Sequence, residues 1–155
     1  MVSTALSRPR SRPDDRFSRL SRTGPADLVT LIKRRVPAAE AKAWLEGTGL
    51  TREATLKALD LPVATFNRKV KANERLSPAE SERVIGFARL VGQVQDMIEG
   101  ADGGENFDVK AWLGRWLNSP LPAFGGVRPL EYMDTMEGQR LVSQTLGQME
   151  SGTYA

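Results

Sequence analysis

Apolar residues along this chain recur at spacings of three and four, and no segment sustains an alternation of apolar and polar positions. That period predicts helices and no sheet. In "TGPADLVTLIKRR", Pro25 suits a first helical turn, Asp27 suits the positive helix end, and Leu28, Leu31 and Ile32 form one stripe. Pro37 opens a second helix, "PAAEAKAWLEGTG", which Gly47 or Gly49 stops. Thr51 caps a third over 52–59, "DLP" turns the chain, and a fourth covers about 63–72. Two short helices joined by so short a turn have the helix-turn-helix outline. Ser77, Pro78 and Glu80 then supply the N-cap, first residue and capping box of a long helix. Val84, Phe87, Ala88, Val91, Val94 and Ile98 line one side of it, and Ile85, Leu90 and Met97 widen that side beyond what one small neighbour needs. Such a face fits a helix that spans a core, or a seam shared between two copies. Gly100 ends the helix in the linker "EGADGGEN". Further helices are expected at about 107–118, 129–134 and 136–150, the last with Leu141, Val142, Thr145, Leu146 and Met149 on one side. The expected fold class is all-α.

The segment "NSPLPAFGGVRPLEY", residues 118–132, interrupts this pattern. Pro120 pushes the residue before it away from helical angles, Gly125–Gly126 lets the chain reverse, and Pro129 restarts a helix. Thr135 caps the last helix, and Gly138 in its first turn implies close packing there. The result should be a compact, strongly kinked set of short helices. A phosphate loop does not fit, because no preceding strand and no Gly-Lys-Ser/Thr sequence accompanies the glycines.

The 155 residues suit one compact domain, or two small helical ones sharing a core. Cysteine and histidine are both absent. That removes thiolates, disulfides, the commonest general base and the commonest metal ligand, so no enzyme, cofactor or metal is expected. Glu80 and Glu82 are the carboxylates nearest to a catalytic reading, and helix capping and surface spacing explain them more simply. No apolar run is long enough for a membrane span, and the arginine-rich front lacks a secretory apolar stretch. A soluble, cytoplasmic protein is the plain expectation.

Charge divides the chain. Residues 1–35 hold nine Lys/Arg against three Asp/Glu, residues 36–100 nine against nine, and residues 101–155 four against seven. A basic front and an acidic back suggest two different partners. Residues 1–22, rich in Ser, Arg and Pro, read as a disordered basic tail. Residues 23–100 read as a helical DNA-binding-like and dimerisation domain, and residues 101–155 as a smaller domain that binds a different partner.

Within the helix-turn-helix, Phe66 and Val70 form the inward pair, while Val63, Ala64, Thr65, Asn67, Arg68, Lys69 and Lys71 lie outside. Asn67 is of a type that pairs with adenine and Arg68 with guanine, and Thr65 suits a phosphate or a thymine methyl. Lys69 and Lys71 suit phosphates. A solvated basic face on an ordinary scaffold is the alternative. Leu56 stands where the first helix usually has a small residue, and Asp60 where the turn usually has glycine.

The C-terminal sequence "WLNSPLPAFGGVRPLEYMDTMEGQRLVSQTLGQMESG" resembles the toxin-binding domain of the Xre/MbcA/ParS antitoxin family. The matching positions are Trp116, Leu117, Pro120, Phe124, Gly125, Gly126, Pro129, Leu130, Thr135, Gly138, Val142, Leu146 and Gly152, and "RLSPAESERVIGFARL" resembles the helix after the family's Xre-like helix-turn-helix. Leu113 replaces a frequent Ala and Phe124 a common Leu. The resemblance implies an antitoxin of a type II toxin–antitoxin pair whose cognate partner is a RES-domain toxin that consumes NAD. It further implies inhibition by covering the toxin's active site, binding to the operon's own operator DNA, and a homodimer within a hetero-oligomeric complex. The toxin-binding candidates are Trp116, Phe124, Gly125, Gly126, Arg128, Tyr132, Gly152, Tyr154 and Ala155, the stretch Gly152–Ala155 either reaching into the toxin or forming a frayed terminus. The alternative function is a stand-alone helix-turn-helix regulator with a C-terminal dimerisation module.

Overall fold

The structure is a computed structural model and describes residues 15–101 and 106–152. Among these residues there are eight α-helices and no strand: α1 (Asp15–Arg22), α2 (Pro25–Arg34), α3 (Ala38–Leu45), α4 (Arg52–Ala58), α5 (Val63–Lys71), α6 (Pro78–Glu99), α7 (Val109–Leu117) and α8 (Met136–Glu150). Two 3-10 turns, Pro122–Phe124 and Pro129–Tyr132, occupy the broken segment between α7 and α8. None of these helices is long and apolar enough to cross a membrane.

Local chemistry sets the helix ends. The Thr51 hydroxyl accepts from the Ala54 amide at 3.1 Å, Asp108 accepts from Ala111 at 3.1 Å, and Thr135 accepts from Gly138 at 3.0 Å. At the head of α6 the capping box is complete: Glu80 N donates to Ser77 Oγ, and Ser77 N donates to Glu80 Oε1. α7 begins at Val109, after its Asp108 cap, two residues later than the periodicity predicts.

The 22-residue α6 runs through the centre, and α1, α2, α3, α7 and α8 all pack on it. Val84, Phe87, Ala88, Val91 and Val94 are buried as expected, and so are Ile85 and Leu90. The width of that face has a plain cause: α1 lies along it. The stretch expected to be a disordered tail is helical from Asp15 onward. Phe17 is buried and meets the Trp44 ring edge-on at 6.5 Å, and the Ser18 hydroxyl donates to Gln95 Oε1 at 3.1 Å. Arg22 pairs with Asp96 at 2.8 Å, and Arg89 Nε donates to the Leu20 carbonyl at 3.2 Å. Phe17 and Leu20 stand three apart on a single face, too short a stripe to separate from the polar residues around it. Residues 1–14 lie outside the described residues.

α1 also links the two halves of the chain, because the Lys110 ammonium of α7 sits over the Phe17 ring, 5.0 Å from its centroid. The fit of α1 on α6 depends on Gly92, where an added Cβ would collide with the Phe17 carbonyl. Gly92→Ala should therefore lift α1 and destabilise the fold by about 1–3 kcal/mol. Thermal unfolding should show a lower Tm, and limited proteolysis should cut first within 15–22.

Candidate functional site

The helix-turn-helix is α4 and α5. Phe66 is buried and Val70 half-buried against the core, so α5 turns its opposite side outward. Asn67, Arg68 and Lys71 are exposed there, and Thr65 is half-buried. Asp60 adopts a left-handed backbone, φ 53°, which is the conformation that favours glycine at this turn. Arg83 of α6 clamps the turn, its Nε donating to the Leu59 carbonyl at 2.6 Å and its Nη2 to the Asp60 carbonyl at 3.1 Å. Leu56 is fully buried, so a large residue in the first helix is accommodated as core.

Two of the expected outward cations have partners. Arg68 pairs with Glu74 at 3.1 Å on the surface, an exposed pair that costs little to open. Lys69 differs: its ammonium lies 2.9 Å from Glu80 Oε1, and both side chains are nearly withdrawn from solvent. Lys69 thus bridges α5 to the capping box of α6 and does not face outward with Asn67 and Lys71. Burial raises the Glu80 pKa, but the Ser77 backbone amide, the Lys69 side chain and the Ser77 hydroxyl outweigh it and hold the carboxyl below its ordinary value.

The C-terminal module is built from α7, the two 3-10 turns and α8. Leu121 and Val127 pair across a tight loop, Gly126 N donating to the Leu121 carbonyl at 3.0 Å. Gly125 and Gly126 sit at its tip with φ 65° and 85°, and nothing lies within 4 Å of where their Cβ atoms would be. Backbone angle, and not crowding, is why both are glycine. Gly138 has the opposite reason: an added Cβ there would strike the Tyr132 carbonyl, so α8 can approach the preceding turn only without a side chain.

The expected toxin-binding residues divide between core and surface. Trp116 and Phe124 are 8% and 5% exposed, so they support the surface from beneath. Trp116 stacks on Trp112 at 6.1 Å, and Phe124 packs against the half-buried Tyr132 at 4.8 Å. Arg128 is held in place, its Nη1 donating to Asn118 Oδ1 at 2.8 Å and its backbone amide to Glu131 at 3.3 Å. Gly152 follows α8 in a left-handed conformation, φ 71°. Tyr154 and Ala155 lie outside the described residues.

Among the described residues of this half, the exposed large apolar side chains are Phe107, Val127, Met136 and Leu141, none of which the sequence pattern marks as contact residues. Leu141 reads there as part of the buried stripe, but the helical turn between it and Val142 carries it out to solvent. A cleft of about 750 Å³ separates the modules, with Thr51 and Lys57 on the α4 side and Asn118, Arg128 and Asp134 opposite.

Comparison with known families matches residues 27–89 to the antitoxin Xre-like helix-turn-helix domain and residues 93–152 to the antitoxin Xre/MbcA/ParS C-terminal toxin-binding domain. A Prs ADP-ribosylating antitoxin of Sphingobium sp. (strain YBL2) is 42% identical over 143 residues, covering 92% of this chain and 90% of the relative. The chain belongs to the Xre/MbcA/ParS antitoxin family. More distant relatives are the antitoxin Xre of Yersinia enterocolitica, 26% identical over 64% of this chain and 62% of the relative, and that of Pseudomonas putida, 25% identical over 78% and 72%. The protein is thus an antitoxin of a toxin–antitoxin system with a helix-turn-helix domain, and its relatives are binding proteins and not enzymes. In this antitoxin the first match ends and the second begins inside α6, so both matched domains draw on one helix.

The Lys69–Glu80 contact ties the DNA-reading-type helix to that shared helix. Glu80→Gln should cost about 1–2 kcal/mol, through the weakened cap and the lost ion pair. Because the folded carboxyl is the stronger acid, its contribution is full above the unfolded value of about 4.5 and is lost as pH falls through the lower folded value. The Tm difference between wild type and Glu80→Gln should therefore be largest near neutral pH and shrink in acid.

Proposed function

We propose that this antitoxin neutralises a RES-domain toxin that consumes NAD, by laying its C-terminal module over the toxin's active site. The relative named a Prs ADP-ribosylating antitoxin, matched over nearly the whole chain, is the observation that carries this reading, since ADP-ribosylation uses NAD. The module suits the task. Its Gly125–Gly126 tip and Arg128 are presented on a braced loop, and Val127, Met136 and Leu141 add exposed apolar surface nearby in the sequence. Trp116, Phe124 and Tyr132 stiffen that loop from within. Gly152 releases the chain from α8, and Tyr154 and Ala155 extend into the toxin's nucleotide pocket. An acidic module facing a pocket built for phosphates also has the complementary charge.

In this reading the other half binds operator DNA. Asn67 and Arg68 read base edges, Arg68 first releasing Glu74, while Thr65 and Lys71 serve the backbone and Lys69 acts through the capping box of α6. Two copies bind the operator together as a dimer within the toxin complex, and the operon is thereby autoregulated.

The test is NAD consumption by the protein encoded beside this one, alone and with the antitoxin. Full-length chain should abolish turnover, and chain truncated after Glu150 should inhibit at least tenfold less well. Absence of NAD consumption, or of inhibition by the full chain, would refute the proposed chemistry of the partner.

A further inference from the structure

A groove of about 390 Å³ opens between α1, the α2–α3 connection and the residues that follow α5. Arg16, Arg19, Arg34, Arg35 and Arg75 line it, against a single carboxylate, Glu40. Resting on the proposed DNA-binding role, we infer that this groove is a second phosphate-binding surface, which holds the operator's sugar–phosphate backbone beside the stretch read by α5.

Three observations support it. First, the groove gathers four arginines that no described carboxylate pairs with. Arg22, Arg52, Arg68, Arg128 and Arg140 each pair with a carboxylate. Among the described residues, Arg19, Arg34, Arg35 and Arg75 pair with none, so their charge is left for an external anion. Second, two of them are fixed in advance. Arg35 Nε donates to the Leu76 carbonyl at 2.7 Å, and Arg75 Nη1 donates to the Arg35 carbonyl at 2.7 Å, each side chain reaching the other's loop. Carbonyl partners orient a guanidinium without neutralising it, and its remaining N–H groups stay available. Arg35 also holds a backbone φ of 65°, a conformation rarely adopted outside glycine and maintained here by those cross-loop bonds. Third, the groove continues from α5, because Arg75 follows the end of that helix by four residues.

A protein segment fits less well. Val36, Trp44 and Ile85 beneath the rim are core side chains, and the half-buried Leu20 and Leu31 form an apolar floor that an apolar anchor reaches only past the ring of arginines. What the groove presents is a rim of cations, and a row of phosphates matches it.

The experiment measures binding of the full-length antitoxin to a labelled duplex from its own promoter, and to a scrambled duplex of equal length, over a range of salt concentrations. Arg19 and Arg34 are the positions to change, because their side chains hold no other part of the described chain. Arg19→Ala/Arg34→Ala should weaken binding to both duplexes by the same factor, about tenfold, and lower the log–log salt slope by about two. Arg19→Lys/Arg34→Lys should retain most of the slope, while Asn67→Ala should instead erode the preference for the promoter duplex. Unchanged affinity and slope in the double alanine variant would overturn the groove alone, and wild type that binds neither duplex would overturn the DNA reading and the groove with it. Normal DNA binding with impaired toxin inhibition would assign the groove to a protein and also overturn the proposal.

Discussion

Burial against α6 is the constraint on which the rest of the structure depends. α4, α5 and the short turns near residue 125 are too short to be stable as isolated helices, and tertiary packing has to supply what propensity does not. α6 provides that surface directly for α1, α2, α3, α7 and α8, while α5 packs on α3 and reaches α6 through Lys69. α8 buries Val142 and Leu146 in the common core and adds a polar seam beside α6. There Gln139 donates to the Arg83 and Met133 carbonyls at 3.1 and 2.9 Å, and Gln93 and Ser143 exchange two hydrogen bonds. Arg83 clamps the helix-turn-helix turn from its side chain and receives Gln139 on its backbone, so one residue of α6 touches both halves.

This arrangement carries the helix-turn-helix and the C-terminal domain of the antitoxin on one framework. The outward side of α5 and the loop around Gly125 share no surface residues, yet each is held by side chains that lead back to α6. Lys69 does this for α5 through Glu80, and Gln139 does it for the C-terminal module by donating to both the Arg83 and Met133 carbonyls.

Most helices were legible in the sequence because their signals are local. The capping box at Ser77, the prolines at 25, 78 and 129, and the Thr51 and Thr135 caps each act within one turn. What was illegible depends on distant partners. α1 has only Phe17 and Leu20 to mark it, and it becomes recognisable only beside Gly92, which lies some seventy residues away in the chain. Lys69 has the composition of a surface cation, and only the fold brings Glu80 to it. Trp116 and Phe124 fall within the match to the toxin-binding domain, and sequence cannot separate the residues that shape such a surface from those that form it. Asp60 is a further case: a residue that disfavours the turn locally is held there by Arg83, contributed from the next helix but one.

The central claim, that α6 makes one cooperative body of the two halves, is tested most directly by native-state hydrogen exchange on wild type and Val91→Ala. Val91 is fully buried in the middle of α6. The account predicts that the slowest amides of α5 and of α8 open with the same free energy, and that the substitution lowers both equally. If α8 keeps its protection while α5 loses it, or the reverse, the two halves unfold independently and the claim is wrong.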